Sequence, residues 1–167
     1  MRWIWIDGFV TFESGVRASA VKNLTLAEEY FHDHFPGYPV MPASLMVEGM
    51  AQTAGILVGE ARDFSENVIL AKIRLARFDA EARPGDRLRY DAELETIDER
   101  AAVTRGTVYR NDARIGQVDL MFSHVRPGQG VAGLPDHNFV FTRSFLDLLD
   151  SVRRRGGVDQ GDEHGGG

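Results

Sequence analysis

The most informative stretch of the sequence, residues 32–52, reads HDHFPGYPVMPASLMVEGMAQ. It contains three prolines, Pro36, Pro39 and Pro42. Each proline fixes its own φ angle and pushes the preceding residue towards extended conformations. The sequence therefore predicts a stiff, irregular loop that ends where a helix begins.

The segment after the prolines, residues 43–62, contains no proline and is apolar on all sides. A helix with that pattern is normally buried. Its first turn presents unpaired N–H groups and a partial positive charge, which can bind a carbonyl oxygen on which negative charge develops. We therefore predict a buried helix whose start, at Pro42, Ala43 and Ser44, can receive such an oxygen.

Most of the remaining sequence alternates with period two, which indicates strands. Residues 3–6 predict a strand or the start of a short helix, and residues 25–31 predict a helical turn capped by Thr25. A long helix followed by consecutive strands predicts an α+β fold, with an antiparallel sheet wrapped around the helix. The predicted strands are residues 16–24, 67–78, 87–97, 101–110 and 116–125.

The C-terminal part of the chain extends beyond this predicted domain, which we place at residues 1–127. Residues 128–155 predict a loop and an amphipathic helix, the helix covering 142–155. Residues 156–167 have almost nothing to bury and predict a disordered tail. The apolar side of the helix combines Phe145, Leu148, Leu149 and Val152.

Composition excludes several classes of function. The chain has 167 residues, a net charge of −6 and no cysteine. An acidic chain is poorly suited to neutralise phosphates, so we expect no nucleic-acid binding, and cysteine chemistry is excluded. The sequence contains no apolar stretch of about 18 residues and no signal-peptide pattern, so we expect no membrane span and a cytoplasmic location.

Two titratable residues in the opening stretch form a candidate catalytic pair. Glu48 lies about one turn into the apolar helix, where lost hydration favours a protonated carboxyl that can act as a general acid. His34 can act as a base near neutral pH. Gln52, one turn beyond Glu48, could hold the carboxyl by a hydrogen bond. The same residues also allow a structural histidine and a glutamate that faces solvent.

Other histidines carry weaker signals. His32 and His34 flank Asp33, but no third ligand is evident, so we expect no metal. His124 ends a predicted strand and fits the edge of the core or an interface.

Residues 34–52 resemble the signature of the 3-hydroxyacyl-[acyl-carrier-protein] dehydratases, the FabZ/FabA group of hotdog-fold enzymes. The family pattern is H-F-P-x-x-P-x-x-P-G-x-x-x-x-E followed by x-M-A-Q, and it aligns without gaps from His34 to Gln52. The segment 71–94 is similar to the family's F-x-x-x-x-x-P-G-D-x-L region. The resemblance covers roughly residues 1–126.

The resemblance implies a hotdog fold and a homodimer, alone or as a trimer of dimers, with an apolar tunnel at the dimer interface. His34 would abstract the C2 proton of a 3-hydroxyacyl chain on acyl carrier protein. Glu48 of the other subunit would protonate the departing C3 hydroxyl, giving a trans-2-enoyl thioester without any metal or organic cofactor. The N–H groups at the start of the central helix would bind the thioester carbonyl. The residues assigned to substrate binding are Phe35, Tyr38, Pro42, Ala43, Ser44 and Gln52.

Two details of the motif bear on its activity. Glu48 favours the simple dehydratase, because FabA-type isomerases carry aspartate there. Ala43 replaces the family's glycine; its methyl group could crowd the substrate, and it would be strained if the site needed a positive φ. Two alternatives therefore stay open, a hotdog acyl-thioesterase and a non-catalytic acyl-thioester-binding subunit.

A group of basic residues follows the helix. Because acyl carrier protein is strongly acidic, such a patch could assist its docking. A solvated sheet face explains it equally well. The candidate docking residues are Lys72, Arg74, Arg77 and Arg83.

Overall fold

The computed structural model describes residues 3–126, 137–138 and 140–156. They form six strands and three helices in the order β-β-α-α-β-β-β-β-α. The strands are β1 (Gly8–Glu13), β2 (Arg17–Asn23), β3 (Asn67–Phe78), β4 (Arg87–Ile97), β5 (Ala101–Arg110) and β6 (Ala113–Val125). The helices are α1 (Tyr30–Asp33), α2 (Ala43–Glu60) and α3 (Arg143–Gly156).

One antiparallel sheet wraps around the central helix α2. Its strand order is β1-β2-β4-β5-β6-β3, so β1 and β3 form its two edges. The helix packs against β2, β3, β4, β5 and β6. The sequence predicted this α+β arrangement, and the structure confirms it.

Small residues let α2 lie close to the sheet. A Cβ atom added at Gly49 would lie 2.5 Å from the ring of Tyr90 on β4. A Cβ atom added at Gly106 on β5 would lie 2.5 Å from the Met50 sulfur. Because backbone and side chain meet directly at these positions, Met50 and Tyr90 are both fully buried.

Residues 3–6 form neither a strand nor a helix, so that prediction was wrong. The apolar pattern there reflects burial of an irregular segment, since Trp5 and Ile6 are buried. The backbone N–H of Trp5 donates to the side chain of Gln52 on α2, at 2.8 Å, instead of to a neighbouring strand. The first strand is β1, which the sequence analysis missed.

Two further boundaries differ from the sequence prediction. β6 begins at Ala113 because the turn before it uses only Asn111 and Asp112, with φ angles of 48° and 69°. The segment 25–31 is a turn in which Thr25 accepts a hydrogen bond from the Ala27 N–H at 3.3 Å, and the helix proper begins only at Tyr30.

The helix α3 packs its apolar side on the rest of the protein. Leu149 is buried, and Phe145, Leu148 and Val152 are partly buried against the core. The amphipathic pattern predicted for this segment is thus confirmed. The predicted loop falls largely on residues 127–136 and 139, and the predicted tail on 157–167; these lie outside the described residues. No helix in the described part of the chain is long and apolar enough to cross a membrane.

Candidate active site

His34 follows directly after α1, at the start of the proline-rich loop. Its Nδ1 atom lies 2.9 Å from the Val40 carbonyl oxygen. A carbonyl oxygen can only accept, so Nδ1 carries a proton, and Nε2 is the nitrogen with the lone pair when the ring is neutral. The imidazole is therefore held in the tautomer that a base requires, and the Phe35 ring stacks on it with a centroid separation of 4.2 Å.

Backbone hydrogen bonds hold the loop in one conformation. Phe35 and Tyr38 exchange two of them, at 3.0 and 2.9 Å, around Gly37, whose φ of 75° suits a residue without a side chain. The Val40 N–H donates to the His34 carbonyl at 3.0 Å. These hydrogen bonds fix the backbone of the loop that carries the His34 side chain.

The first turn of α2 begins immediately after Pro42. The N–H groups of Leu45 and Met46 both donate to the Pro42 carbonyl oxygen, at 2.9 and 3.4 Å. Within the described residues, the N–H groups of Ala43 and Ser44 have no acceptor, and both residues are exposed. These two donors can bind an oxyanion.

Ala43 is the first residue of α2 and is not among the residues with positive φ. Any residue with a side chain can adopt a negative φ in the helical region. The backbone strain that a glycine requirement would impose on alanine is therefore absent here.

Glu48 and Gln52 lie one turn apart on α2, and the predicted hydrogen bond between them is confirmed. Gln52 Nε2 donates to Glu48 Oε1 at 2.9 Å and is also 3.2 Å from the Trp3 carbonyl oxygen. Gln52 Oε1 accepts from the Trp5 N–H at 2.8 Å. The buried amide is thus fixed at both ends, and it orients a carboxyl that is itself partly buried.

Glu48 borders an apolar cavity of about 200 Å³. One face of α2 forms its floor, including Ala51, Gly55 and Ile56, while Val68 and Phe122 contribute from the sheet. Of the described residues that line it, only Glu48 and Gln52 carry polar side chains, and His34 is not among them. The cavity can hold a hydrocarbon chain with its reacting end at the carboxyl.

Phe35 and Tyr38, assigned above to substrate binding, do not border this cavity within one chain. The Tyr38 hydroxyl donates to Glu81 at 2.9 Å, and the Arg83 guanidinium lies over the Tyr38 ring, 4.3 Å from its centroid. Both aromatic side chains are largely exposed on the loop.

The candidate docking residues are exposed but mostly paired with acids. Lys72, Arg74 and Arg77 lie on β3, and Arg83 lies in the loop before β4. Nearby carboxylates neutralise three of the four charges, so this surface is mixed in sign. Arg74 is 3.4 Å from Glu95, Arg77 is 2.9 Å from Asp79, and Arg83 is 2.9 Å from Glu81.

A buried charge cluster lies where β3 begins. Glu66 is only 5% exposed, and its carboxylate contacts Arg62 at 3.2 Å, His124 at 3.1 Å and Arg126 at 3.1 Å. Burial raises the pKa of Glu66, but the hydrogen bonds from Arg126 and His124 and the charge of Arg62 outweigh it and leave the pKa below its usual range. The His124 side chain, assigned to a core edge or interface, is buried at this cluster.

Sequence reasoning missed several residues that line the cavity. Trp3 precedes the first strand, and Val140, Phe141 and Phe145 come from the C-terminal segment. Their apolar character is visible in the sequence, but their distance along the chain from Glu48 gave no signal that they would meet it.

The chain is similar to known dehydratases over most of its length. Residues 5–119 match the FabA-like domain family. The 3-hydroxyacyl-[acyl-carrier-protein] dehydratase FabZ of Pelotomaculum thermopropionicum is 35% identical over 122 residues, 72% of this chain and 87% of that protein. The FabZ of Bacillus pumilus is 38% identical over 124 residues, 72% of this chain and 85% of that protein.

Solved structures with low sequence identity share the fold. A hypothetical thioesterase from Streptococcus pneumoniae, solved with coenzyme A, superposes with a TM-score of 0.58 at 7% identity, covering 71% of this chain and 84% of that one. The dehydratase heterocomplex ApeI:P from Xenorhabdus doucetiae superposes with a TM-score of 0.55 at 16% identity, covering 69% of this chain and 96% of that one. These structural matches bear on the fold alone, whereas the sequence matches show that the chain belongs to the FabA-like family of hotdog-fold proteins, in its FabZ-type dehydratase group.

Proposed function

We propose that this protein dehydrates 3-hydroxyacyl thioesters carried on acyl carrier protein to trans-2-enoyl thioesters, in fatty-acid or related acyl-chain synthesis. The observation that carries the proposal is the Glu48 carboxyl, fixed by Gln52 at the edge of an apolar cavity. Its FabZ relatives are named for this reaction. We expect it to act in the cytoplasm.

The geometry supports one division of chemical roles. Nε2 of His34 removes a proton from C2, while the N–H groups of Ala43 and Ser44 stabilise the negative charge that develops on the thioester oxygen. The C2–C3 double bond forms as the C3–O bond breaks. Glu48 donates a proton to the departing hydroxyl, which leaves as water, and a proton transfer from the imidazolium restores both groups.

A second copy of the chain completes the site in this proposal. His34 is not among the described residues that line the cavity beside Glu48, and we infer that the histidine serving this cavity comes from another chain. The edge strand β3 exposes Leu70, Ile73 and Leu75, with exposed fractions of 36%, 48% and 40%. An exposed apolar edge strand is a template for pairing with another chain. We therefore propose a homodimer joined along β3, with each catalytic pair shared between the two chains.

One assay tests the reaction and its alternatives. Purified protein is incubated with 3-hydroxyacyl thioesters while enoyl absorbance and free thiol are followed together. We expect enoyl product, lost in both His34→Ala and Glu48→Gln and retained in His32→Ala, which removes an exposed histidine nearby. Thiol release without enoyl product would indicate a thioesterase. Acyl binding without either product would indicate a non-catalytic subunit.

A further inference from the structure

The cavity beside Glu48 is lined in part by a segment of the chain that the family match does not cover. The match ends at residue 119, whereas Val140, Phe141 and Phe145 line the cavity. Phe141, two residues before α3, and Phe145, in its first turn, bring two aromatic rings to a space bordered otherwise by α2, the sheet and Trp3. This segment therefore lies outside the family match and contributes side chains to the site.

Asn138 anchors this segment to the loop between α2 and β3. Its Nδ2 atom donates to the carbonyl oxygens of Phe64 at 3.1 Å and Glu66 at 3.0 Å. Its Oδ1 atom accepts from the N–H groups of Val140 and Phe141, both at 3.1 Å. One side chain thus fixes the backbone that carries the aromatic residues.

The Phe141 ring is also held by packing. It lies against Gly59 of α2 so closely that a Cβ atom added there would overlap the ring. The Phe64 ring meets it edge-on, with centroids 4.9 Å apart. A ring confined by a helix backbone and another aromatic residue cannot move aside without disturbing both.

We propose that Phe141 and Phe145 form the end wall of the acyl cavity and so limit the length of the acyl chain that the protein accepts. The proposal rests on the proposed function and specifies its substrate class. Glu48 and Gly59 are separated by about 16 Å along α2 at about 1.5 Å per residue. An extended chain advances roughly 1.2 Å per bond, so at most about a dozen bonds fit between the reacting carbon and the wall.

Variants that enlarge or shrink the cavity test whether Phe141 and Phe145 limit the length of the acyl chain. Phe141→Ala and Phe145→Ala should raise the ratio of kcat/KM for long over short 3-hydroxyacyl thioesters by about tenfold, since each extra methylene that fits a pocket is worth about that much. Gly55→Ala should lower the ratio, because its added Cβ points towards Phe122, 3.7 Å away, without overlap. Val152→Ala truncates α3 outside the cavity lining and should leave the ratio unchanged.

The readout is kcat/KM over substrates of about 4 to 16 carbons, with thermal melting to confirm that each variant folds. Phe141→Leu is the second variant if Phe141→Ala fails to fold. An unchanged length profile in all the phenylalanine variants, with activity retained, would overturn the wall alone. If the unsubstituted protein formed no enoyl product, the proposed function would be overturned. The wall would then be tested by calorimetry, as the ratio of binding affinities for long over short saturated acyl-pantetheine thioesters in the same variants.

Discussion

Replacing Gln52 by methionine keeps the volume of the side chain and removes its hydrogen bonds to Trp5 and Glu48. Gln52 is 7% exposed, so bulk water has little access to these contacts. A buried N–H left without an acceptor costs about 1–3 kcal/mol. We expect Gln52→Met to lower the free energy of unfolding by about 2 kcal/mol and the melting temperature by about 4–8 °C.

The same change should impair catalysis more than binding. Without the amide, the Glu48 carboxyl is no longer held in one orientation, and misplacing a reacting group by about 1 Å can cost around 100-fold in rate. We expect kcat to fall about 10- to 100-fold with little change in KM. Steady-state kinetics and thermal melting give both quantities.

Thr53→Val is the matched control for this prediction. The Thr53 hydroxyl is also buried on α2, and it donates to the Gly49 carbonyl oxygen at 2.8 Å without contacting Glu48. Thr53→Val should lower the free energy of unfolding modestly and leave kcat within about twofold of the unsubstituted protein. If Gln52→Met were as active as Thr53→Val, the role assigned to Gln52 in holding the carboxyl would be refuted.

Three further changes have defined outcomes. Glu66→Gln should lower the free energy of unfolding by about 3 kcal/mol at pH 7. The depressed pKa of Glu66 means that its stabilising charge is present above about pH 4.3 and lost as the pH falls through the lowered value, so denaturant titrations should show this difference shrinking in acid. Ile73→Lys, which places a charge on the exposed edge of β3, should shift the protein towards the monomer in analytical ultracentrifugation and reduce activity in parallel. Ala43→Gly should leave kcat/KM within about threefold of the unsubstituted value, because Ala43 already has a helical conformation. A large gain in activity would show instead that the Ala43 methyl group obstructs the substrate.

Local spacing explains what the sequence could predict about the site. Residues four apart on a helix face each other, so the contact between Glu48 and Gln52 follows from their positions alone. The prolines likewise restrict the backbone before α2 whatever surrounds them. Features that depend on neighbouring residues were therefore accessible without coordinates.

Contacts between distant parts of the chain were not predictable in this way. The residue types of Trp3 and Phe141 do not show whether these side chains line a cavity or fill the core. The N-terminal segment was misread for a related reason, because its backbone is bound by Gln52 from α2 and not by a strand. In the homodimer proposed above, the choice between catalytic and structural roles for His34 depends in the same way on contacts that the sequence of one chain does not show.

Mixing two inactive variants tests most directly whether His34 and Glu48 act together across a subunit boundary. Chains carrying His34→Ala and chains carrying Glu48→Gln are unfolded and refolded together, and dehydration is compared with each variant refolded alone. In a twofold dimer, half of the assemblies are mixed and each mixed dimer has one intact pair, so activity should recover to roughly a quarter of the unsubstituted level. No recovery, with mixed dimers demonstrated by mass spectrometry, would contradict the shared site.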